Sequence, residues 1–98
     1  MTTLAAFLQS LKEPDPPEGL LGPLLALWHA EKGEWDAAHR IVMNDDSREA
    51  AWVHACLHRQ EGDHGNAGYW YRRAGQPVAE GPVEAERRAI AEALTGGR

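Results

Sequence analysis

Two stretches of this chain, LLALWHAEKGEWDAAHRIV from Leu24 and AWVHACLHRQEGDHGNAGYWY from Ala51, are degenerate copies of one another. At a shift of 29 residues, Ala26, His29, Gly33, Ala38 and Val42 fall on Ala55, His58, Gly62, Ala67 and Tyr71. Each copy passes from an apolar segment through a glycine and an acid, Glu34 or Asp63, into a second segment with a small and then a larger packing residue. Glycine accepts a positive φ at little steric cost, so it can close one helix and let the chain reverse. The pattern predicts two antiparallel helical hairpins. Neither hairpin can cover its own apolar face, and stacking the two with helices at each end is the arrangement that does so.

The flanking sequence supplies those end helices. Leu4, Phe7, Leu8 and Leu11 recur three and four residues apart, which predicts a helix over about residues 3–12 with Thr2 or Thr3 as its cap. Pro14, Pro16 and Pro17 make EPDPPEG a connection, because proline removes a backbone donor and restricts the residue before it. The first hairpin then needs a helix ending near Lys32 and another from Glu34 to Met43. NDDS interrupts, and Asp46 with Glu49 has the form of a capping box opening a fourth helix to about Glu61. Asp63 caps a fifth helix that reaches Ala74. Gly75 and Pro77 end it, Pro82 suits the first turn of a sixth helix, and Glu84 and Arg88 are spaced to pair on its surface. GGR is expected to be a frayed tail. The organisation expected is one helical domain over 1–98: an N-terminal helix and proline-rich connection (1–19), a two-hairpin core (20–77), and a C-terminal capping helix and tail (78–98).

Charge and composition narrow the function. Ten Lys plus Arg against fifteen Asp plus Glu leave a net charge of −5, which disfavours nonspecific attraction to nucleic acid or an anionic membrane. No apolar run approaches the roughly 20 residues that cross a bilayer, and the start MTTLAAFLQSLKEPD has no basic segment ahead of a leader core. The expectation is a cytoplasmic protein that binds neither nucleic acid nor membrane. The lone Cys56 sits between Ala55 and Leu57, as a packing thiol does. Seven leucines from Leu4 to Leu25 on so short a chain also suggest a homodimer.

Gly62, Ala67, Tyr71 and Ala74 resemble the loop glycine, small contact, aromatic packing position and later small contact of the tetratricopeptide-like helical-repeat family. Gly33, Ala38 and Val42 form the weaker first copy. Trp52 lies one position later than that family's first-helix aromatic, Asp45 stands where a later alanine is expected, and the offset is shorter than the family's period of roughly 34 residues. The string WVHACLHRQEGDHGNAGYWYRRAG also resembles a compact group of uncharacterised bacterial and fungal proteins. The resemblance implies an all-α, right-handed stack of two hairpins with terminal helices, and a protein or peptide partner.

Two sets of residues are candidates for function. On the fifth helix, Ala67, Tyr71 and Ala74 form the packing stripe, which leaves Tyr69, Arg72 and Arg73 toward solvent and Trp70 at the boundary. Tyr69 reaches both arginines at helical spacing, so cation–π contacts alone can account for the group. The same residues also suit a carboxylate: the guanidinium groups would supply paired hydrogen bonds and the rings apolar area. The second set is His54 and His58, one turn apart, with Glu61 as a third donor and His29 or His64 available from elsewhere in the stack. HACLH lacks the catalytic glutamate of HExxH, and the two rings can equally serve packing or a polar network. No phosphate-binding glycine loop or activated serine is visible; Ser10 and Ser47 belong to a helix face and a cap. The sequence therefore predicts a noncatalytic recognition or scaffold module with ligand-binding residues Tyr69, Trp70, Arg72, Arg73, His54 and His58. No metal or cofactor is assigned. A small acidic metabolite or metal-binding sensor is the alternative, with an uncharacterised enzyme ranked below it.

Overall fold

Two helix pairs and two flanking helices make up the computed structural model, which describes residues 2–96. The helices are α1 (Leu4–Ser10), α2 (Gly22–Glu31), α3 (Trp35–Val42), α4 (Arg48–Gln60), α5 (His64–Ala74) and α6 (Val83–Leu94). α2 packs chiefly on α3 and α4 on α5, α4 also touches α2, α3 and α6, and α1 rests on α6. None of these helices is long and apolar enough to cross a membrane. The expected tail lies partly outside the described residues, at Gly97 and Arg98.

The two hairpins turn in the same way, for the same local reason. Gly33 and Gly62 take φ of 80° and 84°, where a side chain would be strained. The reversal then returns the amide of Glu34 to the carbonyl of His29, and that of Asp63 to the carbonyl of His58, each at 2.9 Å. The carbonyls that α2 and α4 leave unpaired at their C-termini are satisfied by these closing turns.

Side-chain oxygens cap the starts of α1, α4 and α5. Thr3 Oγ1 accepts from the Ala6 amide at 3.0 Å, and the Asp63 carboxylate accepts from Asn66 at 3.4 Å. At α4 the cap differs from the expected capping box: Ser47 Oγ accepts from the Ala50 amide at 3.1 Å. Asp45 in turn accepts from the Ser47 amide at 2.9 Å, so the acid nearest the turn is used to hold the serine in place. Pro82 is the N-cap of α6 rather than a residue of its first turn, with φ −63°. Arg88 pairs forward with Glu92, not back with Glu84.

The main core joins Phe7 of α1, Leu27 and Trp28 of α2, Val42 of α3, Leu57 of α4 and Ile90 of α6, all essentially inaccessible. A smaller cluster of Ala55, Ala67 and Tyr71 seals α4 against α5. α6 is locked on by charge as well as by apolar contact. Buried Glu86 accepts from Tyr71 Oη at 2.5 Å and from Arg59 at 3.1 Å, and Arg59 also donates to the Gly81 carbonyl. Arg87 reaches back to Glu31 and Gln60. Burial and the Glu86 carboxylate both push the Tyr71 phenol upward, so it stays the donor in that contact.

A candidate metal centre between the third and fourth helices

α4 presents His54 and His58 one turn apart, and both rings are buried, at 3% and 6% exposure. α3 returns across them and adds a third imidazole, His39. His54 Nε2 and His39 Nε2 lie 3.1 Å apart, and one donor nitrogen from each of the three histidines lies within 4.8 Å of the others. Tetrahedral zinc with Zn–N bonds of about 2.0–2.1 Å separates its nitrogen ligands by about 3.3 Å, so the pair is nearly at ligand spacing.

Surrounding groups fix how these rings face. Glu61 Oε1 accepts from His58 Nδ1 at 2.7 Å; because a carboxylate only accepts, Nδ1 carries a proton, and Nε2 is the nitrogen that the neutral tautomer offers to a metal. Such a carboxylate behind a ring sets its tautomer and orientation in metal sites. The Trp35 indole stacks on His39 at 4.7 Å and donates to the Leu57 carbonyl at 2.9 Å, which ties the start of α3 to the end of α4. Trp70 stacks on His54 at 3.9 Å with 18° between planes. Each of these two imidazoles thus has an indole against one face.

Electrostatics disfavour charge on two of the three rings, His54 and His39. Burial, then the neighbouring His39 and His58, pull His54 down to about 4. His39 is lowered by burial and by His58, against the opposing influence of Glu61 and Asp36. Around pH 7 these two rings are neutral and carry lone pairs that can bind a metal. His54 Nδ1 is buried and has no hydrogen-bond partner. Whichever tautomer His54 adopts, that atom is left as an unpaired donor or acceptor, which is costly in an interior.

The residues singled out in sequence fall into place unevenly. His54 and His58 share the site, whereas Glu61 stands behind His58 rather than facing the other two rings. His29 pairs with Glu34 of its own hairpin at 2.7 Å, and His64 is exposed at the start of α5. A further donor set of His58, Glu61 and Asp63 uses two exposed carboxylates. Tyr69, Arg72 and Arg73 are exposed on α5 and Trp70 is half-buried. Arg73 lies 5.9 Å from the Tyr69 ring and 5.4 Å from that of Trp70, and donates to Tyr69 Oη at 3.2 Å. Trp70 therefore joins the two candidate sets, touching His54 on one side and Tyr69 and Arg73 on the other. Cys56 packs toward Glu86 instead, and burial with that carboxylate pushes its thiol far up, as expected for an inert residue.

Sequence reasoning missed His39. Its counterpart in the second copy is Gly68, so matching the copies gave it no weight. The available signal was its position one turn after Trp35, on the face where an aromatic pair would form.

No known protein family, curated protein or solved structure matches this chain.

Proposed function

We propose that this protein is a noncatalytic transition-metal-binding module, with His39, His54 and His58 as ligands and Glu61 orienting His58. The supporting observation is the convergence of three histidine nitrogens, drawn from two helices, within 4.8 Å at a largely buried seam. Two histidines one turn apart are common on any helix; a third brought in by a separate helix is what favours this reading over packing alone. An all-imidazole donor set suits Zn(II), Cu(II) or Ni(II) and is poor for Mg(II) or Ca(II), which prefer oxygen. Metal that binds only the folded chain stabilises it by mass action, by about 2.7 kcal/mol at a hundredfold excess over Kd. Occupancy would thereby tighten the contact between the hairpins, as a sensor requires. Calorimetry of metal-free, tag-free protein with Zn(II) tests this. One ion per chain is expected, with uptake lost in H54A/H58A and sharply weakened in H39A; uptake unchanged in H54A/H58A would remove the assignment.

Recognition of a protein or peptide is the second reading, favoured by the solvent face of α5. Tyr69 is 44% exposed, and neither Arg72 nor Arg73 has an ion-pair partner among the described residues. An acidic peptide suits that face, since two guanidinium groups beside aromatic rings can pair with a carboxylate. A pull-down from extract with wild type and R72A/R73A tests it; partners retained by the folded variant would place the interface elsewhere. With this reading go a right-handed, tetratricopeptide-like stack in one domain over 1–98, with the segments 1–19, 20–77 and 78–98, and a cytoplasmic location. A homodimer would cover Leu21 and Met43, which are 75% and 54% exposed. Sedimentation across a wide concentration range reports on that assembly.

A further inference from the structure

Among the described residues, three donors face one another at the seam, and a four-coordinate ion needs one more. The set of side-chain donors that includes His39, His54 and His58 holds no carboxylate and no thiol among the described residues. Glu61 is held at the other nitrogen of His58, 2.7 Å from Nδ1, where it orients the ring. Cys56 is turned away toward Glu86. The two indoles against the site are unable to ligate, because an indole N–H only donates, and that of Trp35 is already bound to the Leu57 carbonyl. His39 is only half-buried, so the cluster meets solvent along α3.

From this geometry we propose that the metal held by His39, His54 and His58 keeps one coordination position open and takes a small monodentate anion there. The inference rests on the metal-binding reading and specifies its ligand class. Three protein ligands plus one exchangeable position is the pattern of metal sites that bind an external molecule, whereas structural zinc sites are closed by four protein ligands. Charge points the same way. Three imidazole ligands bring no negative charge into direct contact with a divalent ion, the Glu61 carboxylate standing behind His58, and an anion at the fourth position reduces the cost of holding that charge at a largely buried seam.

Cobalt and thiocyanate test the proposal. Metal-free protein is loaded with one equivalent of Co(II), whose visible absorption reports coordination number and ligand exchange, and thiocyanate is then titrated in. The expected result is one cobalt per single chain by native mass spectrometry, with intense four-coordinate bands that shift saturably as thiocyanate binds. Two variants are run beside it, His39→Gln and His58→Gln, with helical circular dichroism to establish that each folds. Each is expected to lower cobalt affinity at least about tenfold. Bands indifferent to excess thiocyanate would overturn the open position while leaving the metal site standing. Two chains per cobalt would also overturn it, since a second copy would then supply the missing donor. Absence of cobalt uptake by folded wild type would overturn the site and the open position together.

Discussion

The two hairpins share a turn and a packing stripe and differ in what lies beside it. Counterparts Ala26 and Ala55, Ala38 and Ala67, and Val42 and Tyr71 are all buried, and Gly33 and Gly62 make the same reversal. At the same shift, Leu25 and Ile41 of the first hairpin correspond to His54 and Trp70 of the second. The first pair adds half-buried apolar area to the main core. The second pair stacks an imidazole on an indole 3.9 Å away, at the edge of a three-histidine cluster. The shared glycines and small residues build the hairpin; of the cluster, His58 has a histidine counterpart in His29, whereas His54 and its partner Trp70 stand where the copies diverge. His39, whose counterpart is Gly68, stands at such a position in the first hairpin.

Acid should separate the hairpins most. His54 has an ordinary histidine pKa when unfolded and one of about 4 when folded, so the unfolded chain binds its proton first as pH falls. The stability associated with a neutral His54 is therefore complete above about pH 6.5 and is lost as pH drops toward 4, by as much as about 3 kcal/mol. His54→Leu, which places the first hairpin's residue in the second, should flatten that part of the profile. Urea unfolding of metal-free wild type and variant across the window checks it; parallel profiles would mean that His54 gains its proton without unfolding the seam.

Placing both first-hairpin residues in the second with H54L/W70I is expected to preserve helicity and to cut Zn(II) affinity about a hundredfold or more, a loss read by calorimetry. Reduced affinity with the circular dichroism unchanged would separate the site from the scaffold; a collapse of helicity would show that the second hairpin needs its imidazole–indole contact to fold.

A smaller difference is expected at the final packing position. Tyr71→Phe leaves buried Glu86 short of a donor and should cost about 2 kcal/mol by denaturant midpoint. Its counterpart Val42 makes only apolar contact, and Val42→Ala should cost the transfer and cavity contribution alone. The least difference is expected at the turns. Gly33→Ala and Gly62→Ala each put a Cβ at positive φ with nothing within 4 Å of it, so backbone strain alone should cost about 1 kcal/mol in both. Unequal losses would show that the shared geometry hides a difference in how tightly each turn is held.

Six helices and their approximate ends were legible because their causes are local. The spacing of apolar residues, glycines after α2 and α4, and prolines between elements act within a few residues, and the pairing of α2 with α3 and α4 with α5 follows from short turns. Ser47 displaced Asp46 as a cap because the choice between adjacent polar residues depends on which oxygen reaches the amide.

His54 and His58 were visible as a pair for the same reason, since one turn of α4 places them together whatever surrounds it. His39 could reach them only when α3 crossed α4, and no spacing within the chain encodes that crossing. Glu61 was readable as a neighbour of His58, yet which edge of the ring it would occupy depended on side-chain torsions set by packing. Trp70 illustrates the boundary most clearly. Its place beside the buried stripe came from helical periodicity, while its contact with His54 came from the two faces that α4 and α5 turn toward each other. Sequence alone determined the helices, their turns and the face each residue occupies, because those depend on backbone preferences and a period of about 3.6 residues. Tertiary structure alone decided that His39 meets His54 and His58, because that depends on the crossing of α3 and α4, whose histidines are distant in the chain.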